Sequence, residues 1–563
     1  GKIAICNRGE LNFTDKLENA VSNGAIATIV ANNQPGTLGM ELSAYTRTEP
    51  AVTISQADAA TLKAASTPVT DDSGKVLYYT GKLTISDAVG SGVSAADHYT
   101  MSSFSSWGVP GSLELKPEIT APGGNIYSLK NGGAYQNMSG TSMAAPQVTG
   151  MVALLDQYLE EQGYPAKTGL STRVLAQSLL MSTAEPVTDE YGDYYPVIQQ
   201  GAGLANVNSA INANSYVMVD GQSDGKAKVE LGDDPAKNGV YTATFTIHNF
   251  TDEAQSYALS ADVFTQDVFD NTFSDGSVES FLAGWTVELT DADVSWSSDA
   301  VTVPANGSCE VTATIDVSGC DLTAYPVGAY IEAYLYAEEV TEDDGTVGTV
   351  HSIPVLGFYG NWSDASMFDV GSYIEYAYGA EDRTPYLYPA TGLNCLYANS
   401  LIVNYAGDNG DYYFGGNPYV EDDAYLPQRN ALNNQRGDVI ASQEFAPIRN
   451  IGASKVTITD IDTDAVYLDQ STGACLAAYY SDTRSAWGNT GLSAPINWTG
   501  TDANGDPLPE DTKVMVTFTA APEYYAEPDG SYRWDELGEG TTLSMPLTID
   551  NTAPQVLNAA HTA

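Results

Sequence analysis

The sequence predicts a multidomain chain in which an α/β portion precedes β-sandwich domains. Three observations lead there. The chain has 563 residues, more than one hydrophobic core usually serves. Its two clear amphipathic helical stretches both lie before about residue 218. Beyond that point helices fade, and apolar residues recur with the period of two that marks strands with one buried face.

Residues 1–78 come first. Lys2-Ile-Ala-Ile-Cys6 reads as a strand, Asn7-Arg-Gly9 as a turn, Phe13 to Asn23 as a helix and Ala25 to Val30 as a buried strand. Residues 79–218 hold the two longer helices. One runs from Thr141 to about Glu161 with Met143, Val148, Val152, Leu155 and Leu159 on an apolar stripe. The other runs from about Ser171 to Thr183 with Val174, Leu175, Leu179 and Leu180. Each stripe suits a helix covering one face of a sheet.

Residues 219–366 alternate. Val240 to Ile247, Cys309 to Asp316 and Ala329 to Tyr336 are half-buried strand patterns, and His351 to Trp362 reads as a last strand and exit. Spacing and turn content predict a sandwich of immunoglobulin or fibronectin type. A second β-rich domain follows over 367–553, with 554–563 as a linker into a further domain.

Composition excludes some partners. With 72 Asp+Glu against 22 Lys+Arg the formal net charge is −50, which repels nucleic-acid phosphates and anionic lipid headgroups. No stretch is apolar enough to span a bilayer. The five cysteines, Cys6, Cys309, Cys320, Cys395 and Cys475, are odd in number and lack CxxC spacing. They offer no zinc site or disulfide framework; Cys309 could pair with Cys320, but free buried thiols fit better.

The chemistry concentrates in Ser139-Gly-Thr-Ser-Met-Ala-Ala-Pro-Gln-Val-Thr-Gly150. Gly140 permits a tight turn. Ser142 falls in the first turn of a helix, where unpaired N–H groups and the helix dipole favour negative charge. Pro146 falls in the helix's first turns, where its missing N–H costs least. Ala144, Ala145 and Gly150 allow close packing. Ala144 stands where the second glycine of a Gly-x-Ser-x-Gly elbow would be, so this is not that motif. Phe104-Ser-Ser-Trp-Gly108 and Leu115-Lys-Pro-Glu-Ile-Thr-Ala-Pro-Gly-Gly-Asn-Ile126 precede it in order.

These strings resemble the nucleophile region of the subtilisin-like serine proteases, the subtilases. Residues 1–78 resemble the protease-associated domain inserted in many large subtilases, entered part-way. The succession into Ile353-Pro-Val-Leu-Gly-Phe-Tyr-Gly360 is similar to lactocepin-type cell-envelope proteinases and to complement-factor-cleaving surface peptidases of Gram-positive bacteria. The resemblance implies the C-terminal part of an α/β subtilisin-like catalytic domain, an inserted protease-associated domain and fibronectin type III-like sandwiches. It implies a secreted or cell-wall serine endopeptidase acting on proteins and peptides through an acyl-enzyme, with Ser142 as nucleophile.

The family's Asp and His strings are absent, and the Asn donor of its oxyanion hole belongs upstream. Of the four histidines only His98 precedes Ser142, and its neighbours match no part of the motif; His248, His351 and His561 lie in the β-rich tail. A serine needs an adjacent base held by a carboxylate, so this chain alone is expected to be inactive. Either an N-terminal fragment carrying the Asp and His stays bound as a partner, or the polypeptide itself extends upstream of Gly1. No cofactor is needed for the chemistry. Asp502-Ala-Asn-Gly-Asp506 lacks the Gly and Glu of a calcium loop, having Pro507 and Lys513 there; structural calcium elsewhere, as at Asp408-Asn-Gly-Asp411, is left open. Arg436-Gly-Asp438 is read as a chance tripeptide. The rival reading is a non-catalytic surface-binding module descended from a protease.

Overall fold

The computed structural model describes residues 2–83 and 99–553, apart from 10, 34–39, 41, 43–44, 72–73, 223, 273–277, 299–300, 342–347, 369–399, 408–409, 411, 415–429, 446, 478, 482–485 and 489–491. It has two compact units, Gly1–Ala95 and Ala96–Ala563. His98, Cys395, His561 and most of Asp408–Asp411 lie outside the described residues.

In the first unit, β1 (Lys2–Asn7), β2 (Ala25–Ala31) and β3 (Ala51–Ile54) form a parallel sheet in that order. Parallel neighbours need a crossover, and α1 (Phe13–Ser22) supplies it, burying Leu17 and Val21. Then come α2 (Gln56–Ala64), capped by Ser55 Oγ, and a hairpin of β4 (Thr67–Thr70) and β5 (Val76–Thr80). Strand β5 runs across the junction expected at 78.

The second unit opens with the hairpin β6 (Ile126–Lys130) and β7 (Ala134–Met138) and helices α3 (Thr141–Glu161), α4 (Tyr164–Thr168), α5 (Thr172–Ser182), α6 (Val197–Gln200) and α7 (Val207–Asn212). Helices α3 and α5 fall where their apolar stripes predict. Helix α5 starts where Ser171 Oγ accepts the Val174 N–H at 3.3 Å, an N-cap of the usual kind. It does not cover a sheet with one face only. It buries Val174, Leu175, Ala176, Ser178, Leu179, Leu180, Met181 and Ser182 between α3 and the sandwich strands behind it. At about 1.5–3 kcal/mol for each large apolar side chain buried, this helix is a main tie between the two layers.

The sandwich has one sheet of β8 (Ser215–Val219), β10 (Val240–Asn249), β13 (Asp293–Trp296) and β15 (Ser308–Asp316), ordered β13-β15-β10-β8. The facing sheet has β9 (Val229–Asp233), β11 (Gln255–Thr272), β12 (Val278–Glu288), β14 (Val301–Val303), β16 (Ala329–Glu339) and β17 (Val350–Tyr359). Its order is β12-β11-β16-β17-β9, with β14 on β11. Phe245, Ile247, Val311, Ile315, Ile331, Leu335, Ile353 and Val355 fill the space between. Strand β8 comes from ahead of the junction expected at 219 and pairs with β10.

The half-buried pattern of β16 is misleading. Ala329, Ile331, Ala333, Leu335 and Ala337 face the sandwich core, yet Tyr330, Glu332 and Tyr334 on the other face are buried too. The segment around α6 covers them. Tyr330 and Tyr334 join Leu115, Val197, Ile198, Phe264, Leu356, Phe358, Trp362 and Tyr525 in a core shared by three parts of the chain.

The last region also packs two sheets. One includes Ser400–Asn404, Val439–Phe445 and Leu492–Trp498; the other includes Ala453–Asp460, Val466–Ser471, Lys513–Ala521 and Thr542–Ile549. Val456, Val516, Phe518, Ile440 and Trp498 lie in their common core.

Cys309 and Cys320 do not pair. Cys309 sits at the start of β15 and Cys320 four residues beyond its end, which separates them by roughly 25 Å of extended strand, against the ~7 Å limit between Cα atoms of a disulfide. Cys6, Cys309, Cys320 and Cys475 are free thiols and only half-buried.

Candidate active site

Ser142 is the second residue of α3 and is exposed. The helix has Gly140 at its N-cap with φ 152°, and no side chain caps it. Met143 N–H bonds the Gly140 carbonyl at 2.9 Å. Among the described residues nothing bonds the N–H groups of Thr141 and Ser142 or the Ser142 Oγ, so the helix presents free amide donors beside a free hydroxyl. That is the arrangement in which developing negative charge is favoured.

Close backbone contacts hold the turn. Gly140 N–H donates to the Gly123 carbonyl at 2.9 Å, and Asn125 N–H donates to Ser139 Oγ at 2.8 Å. A Cβ on Gly123 would stand 2.8 Å from the Gly140 oxygen and 3.5 Å from Ala144 Cβ, so only glycine fits. Gln147 Nε2 donates to the Pro122 carbonyl at 2.6 Å, fastening α3 to the segment that leads into β6. Sequence reasoning did not single out Gln147; its signal is a polar residue on an otherwise small or apolar helix start.

Pro146 needs a correction. It is the sixth helical residue, counting Thr141 as the first, and lies beyond the orphan amides of the first turn. The N–H it lacks is the one that would bond the Ser142 carbonyl. Its ring therefore costs that bond and loosens the ladder next to the serine.

The described histidines do not serve Ser142. His248 stacks on Tyr216 with ring centroids 4.6 Å apart, and burial lowers its pKa. His351 is fully buried and bonds Ser182 and Ser215.

A charged cluster ties this region to the sandwich. Lys116, Lys226 and Lys228 all meet Glu118 Oε1, at 2.7, 3.0 and 3.1 Å. Lys228 also meets Glu230 at 2.7 Å, and Glu230 accepts the Leu115 N–H at 2.7 Å. Burial of Glu118 opposes its ionisation, but the hydrogen bonds from Lys116 and Lys226 and the charge of Lys228 outweigh that and hold its carboxyl at about 2. Among the described residues there is no group of acidic, histidine and cysteine side chains that could hold a metal, and no helix is long and apolar enough to cross a membrane.

An exposed serine at the start of a long helix, in this sequence setting and ahead of a β-sandwich, is the layout of one protease class. Residues 7–215 match the Subtilase family and residues 229–356 match the Fn3-like domain, and the chain belongs to the subtilase family. Its relatives include the PI-type proteinase of Lactococcus lactis subsp. cremoris, 28% identical over 100% of this chain and 28% of that protein. The PIII-type proteinase of the SK11 strain of the same subspecies is 30% identical over 82% of this chain and 22% of its own length. The C5a peptidase of Streptococcus pyogenes serotype M3 is 31% identical over 69% of this chain and 30% of its own length. The chain thus spans less than a third of the length of these relatives.

Proposed function

We propose that the protein is a serine endopeptidase and that Ser142 is its nucleophile. The observation that carries this is the exposed Ser142 hydroxyl beside the unbonded Thr141 and Ser142 amides at the start of α3. Ser142 Oγ bonds to the scissile carbonyl carbon while its proton passes to a base. The backbone N–H of Ser142 stabilises the oxyanion. The carbon–nitrogen bond breaks as the base protonates the departing amine, and water then hydrolyses the ester.

The base, its orienting carboxylate and a second oxyanion donor are supplied by protein outside residues 1–563, in the same polypeptide or as an N-terminal fragment that stays bound. Uncovered apolar side chains support this: Met138 on β7, four residues before the serine, is 45% exposed, and Leu154, further along α3, is 54% exposed, apolar surface that burial would stabilise. Residues 1–78 act as an inserted protease-associated domain that, with the sandwich, guides substrates.

The substrates are proteins and peptides, and the enzyme is secreted or held at the surface of a Gram-positive bacterium. The named proteinase and peptidase relatives from Lactococcus and Streptococcus support both statements. Hydrolysis of an unfolded protein substrate by the full-length protein, compared with its Ser142→Ala variant, tests the proposal. Cleavage by the wild type and none by the variant is expected. Equal cleavage by both overturns the role of Ser142, and substrate binding without cleavage by the wild type replaces it with a surface-binding module.

A further inference from the structure

Strand β16 grips helix α6 at both ends. Glu332 Oε2 accepts the Val197 N–H at the first residue of α6, and the Ile198 N–H also acts on this carboxyl. Two residues along the same face, the Tyr334 hydroxyl donates to the Gly201 carbonyl just past the last residue, at 2.8 Å. Both side chains have 0% exposure. Around them Tyr194 OH meets Asp262 Oδ2 at 2.7 Å and Tyr336 OH at 2.9 Å, and Thr286 Oγ1 donates to the Tyr194 carbonyl at 2.7 Å. The sheet of the Fn3-like domain thus holds the 194–201 segment by side chains along its length.

That segment holds the residues before Ser142. Gly108 N–H donates to the Ile198 carbonyl at 2.7 Å, and Thr120 Oγ1 to the Gln200 carbonyl at 2.9 Å. Ala202 N–H donates to Glu118 O at 3.0 Å, Thr120 N–H to Gly203 O at 2.9 Å, and Ala205 N–H to Thr120 O at 2.8 Å. From Thr120 the chain runs directly to Pro122 and Gly123, whose carbonyls accept from Gln147 and Gly140. There is no slack on the way. A Cβ on Gly201 would lie 2.4 Å from the Glu118 carbonyl carbon, and one on Gly108 would lie 2.0 Å from Lys116 O. Contacts this close transmit a displacement rather than absorb it.

A fully buried carboxyl is a costly way to fill this space. Burial pushes Glu332 up to about 8 against the pull of the two amides, and its Oε1 has no partner among the described residues. An apolar residue of similar volume would serve stability as well or better. A carboxyl at one end of a single helical turn and a phenol at the other do what an apolar residue cannot: they fix where that turn sits. We propose that Glu332 and Tyr334, on the Fn3-like domain, are positioning residues for Ser142, acting through α6 and the 120–123 segment. The proposal rests on the nucleophile reading above.

The test uses the full-length protein with Glu332→Gln and Tyr334→Phe. Two rates are measured: fluorophosphonate labelling of Ser142, and steady-state turnover of a peptide substrate per probe-titrated site. For each variant, labelling and kcat per titrated site fall roughly tenfold to a hundredfold, the scale of a sub-ångström to ångström misplacement. KM stays within about twofold, since substrate contacts are untouched. Variants that melt less stably yet keep wild-type kcat and labelling rate per titrated site overturn the proposal, because a purely structural role lowers only the number of active molecules. If Glu332→Gln does not fold, Tyr334→Phe, which removes one hydroxyl, decides alone by the same criteria. A wild type that no probe labels defeats the nucleophile reading instead, a result distinct from equal labelling of wild type and variants.

Discussion

His351 Nδ1 lies 3.0 Å from Ser182 Oγ, joining strand β17 of the sandwich to the last residue of α5. Its Nε2 lies 2.7 Å from Ser215 Oγ, which lies 2.7 Å from Tyr257 OH. The imidazole is fully buried, and burial lowers its pKa to about 3. A serine–histidine contact is thus present in this chain, but sealed in an interface where no substrate reaches.

The pH dependence of stability follows from that burial. Folded His351 resists the proton that the unfolded chain accepts near 6.5, so the unfolded state binds more protons and stability rises with pH. The contribution is complete above about 6.5 and is lost as pH falls toward about 3. Thermal melting between pH 7 and pH 4 will show a falling midpoint in the wild type and a shallower fall in His351→Gln. Parallel curves would exclude His351 as the source.

The lysine cluster makes a second prediction. Lys228 has only 4% of its side chain exposed, so Glu118→Gln leaves a buried cation short of one of its two carboxylates. A loss of about 1–3 kcal/mol is expected, read as a lower urea midpoint. The folded Glu118 carboxyl is held down at about 2 against an ordinary 4.5. Its contribution is therefore present above about 4.5 and lost as pH falls toward about 2, so the variant and wild type converge in acid.

Gly123→Ala places a methyl 2.8 Å from the Gly140 carbonyl oxygen and must shift the turn that carries Ser142. Fluorophosphonate labelling of the full-length variant should drop about a hundredfold or more. Labelling at the wild-type rate would show that the turn yields without moving the serine.

A non-reducing peptide map will contain no peptide linking Cys309 to Cys320. A crosslinked pair would contradict the placement of the two thiols near opposite ends of β15.

Much of this was legible in the sequence where the signal is local. The stripe ending in Leu155 and Leu159 located α3, the run Val174 to Leu180 located α5, and the Ser139 to Gly150 string located the turn and its serine. What covers a second face was not legible. In Ala329 to Tyr336 the alternating tyrosines and Glu332 read as a solvent face, because period two reports which residues share a side and not what packs on it. Ser215–Val219 was too short to mark as the sandwich's edge strand. Gln147 and Gly123 gained meaning only once the fold brought Gln147 against Pro122, 25 positions away, and Gly123 against the Gly140 turn.

The most direct test of the central claim is fluorophosphonate labelling of the full-length protein followed by peptide mapping. The probe is expected on the peptide that contains Ser142, with labelling abolished in Ser142→Ala. Labelling of a different serine, or none in a folded full-length protein, would contradict the assignment of Ser142 as the nucleophile.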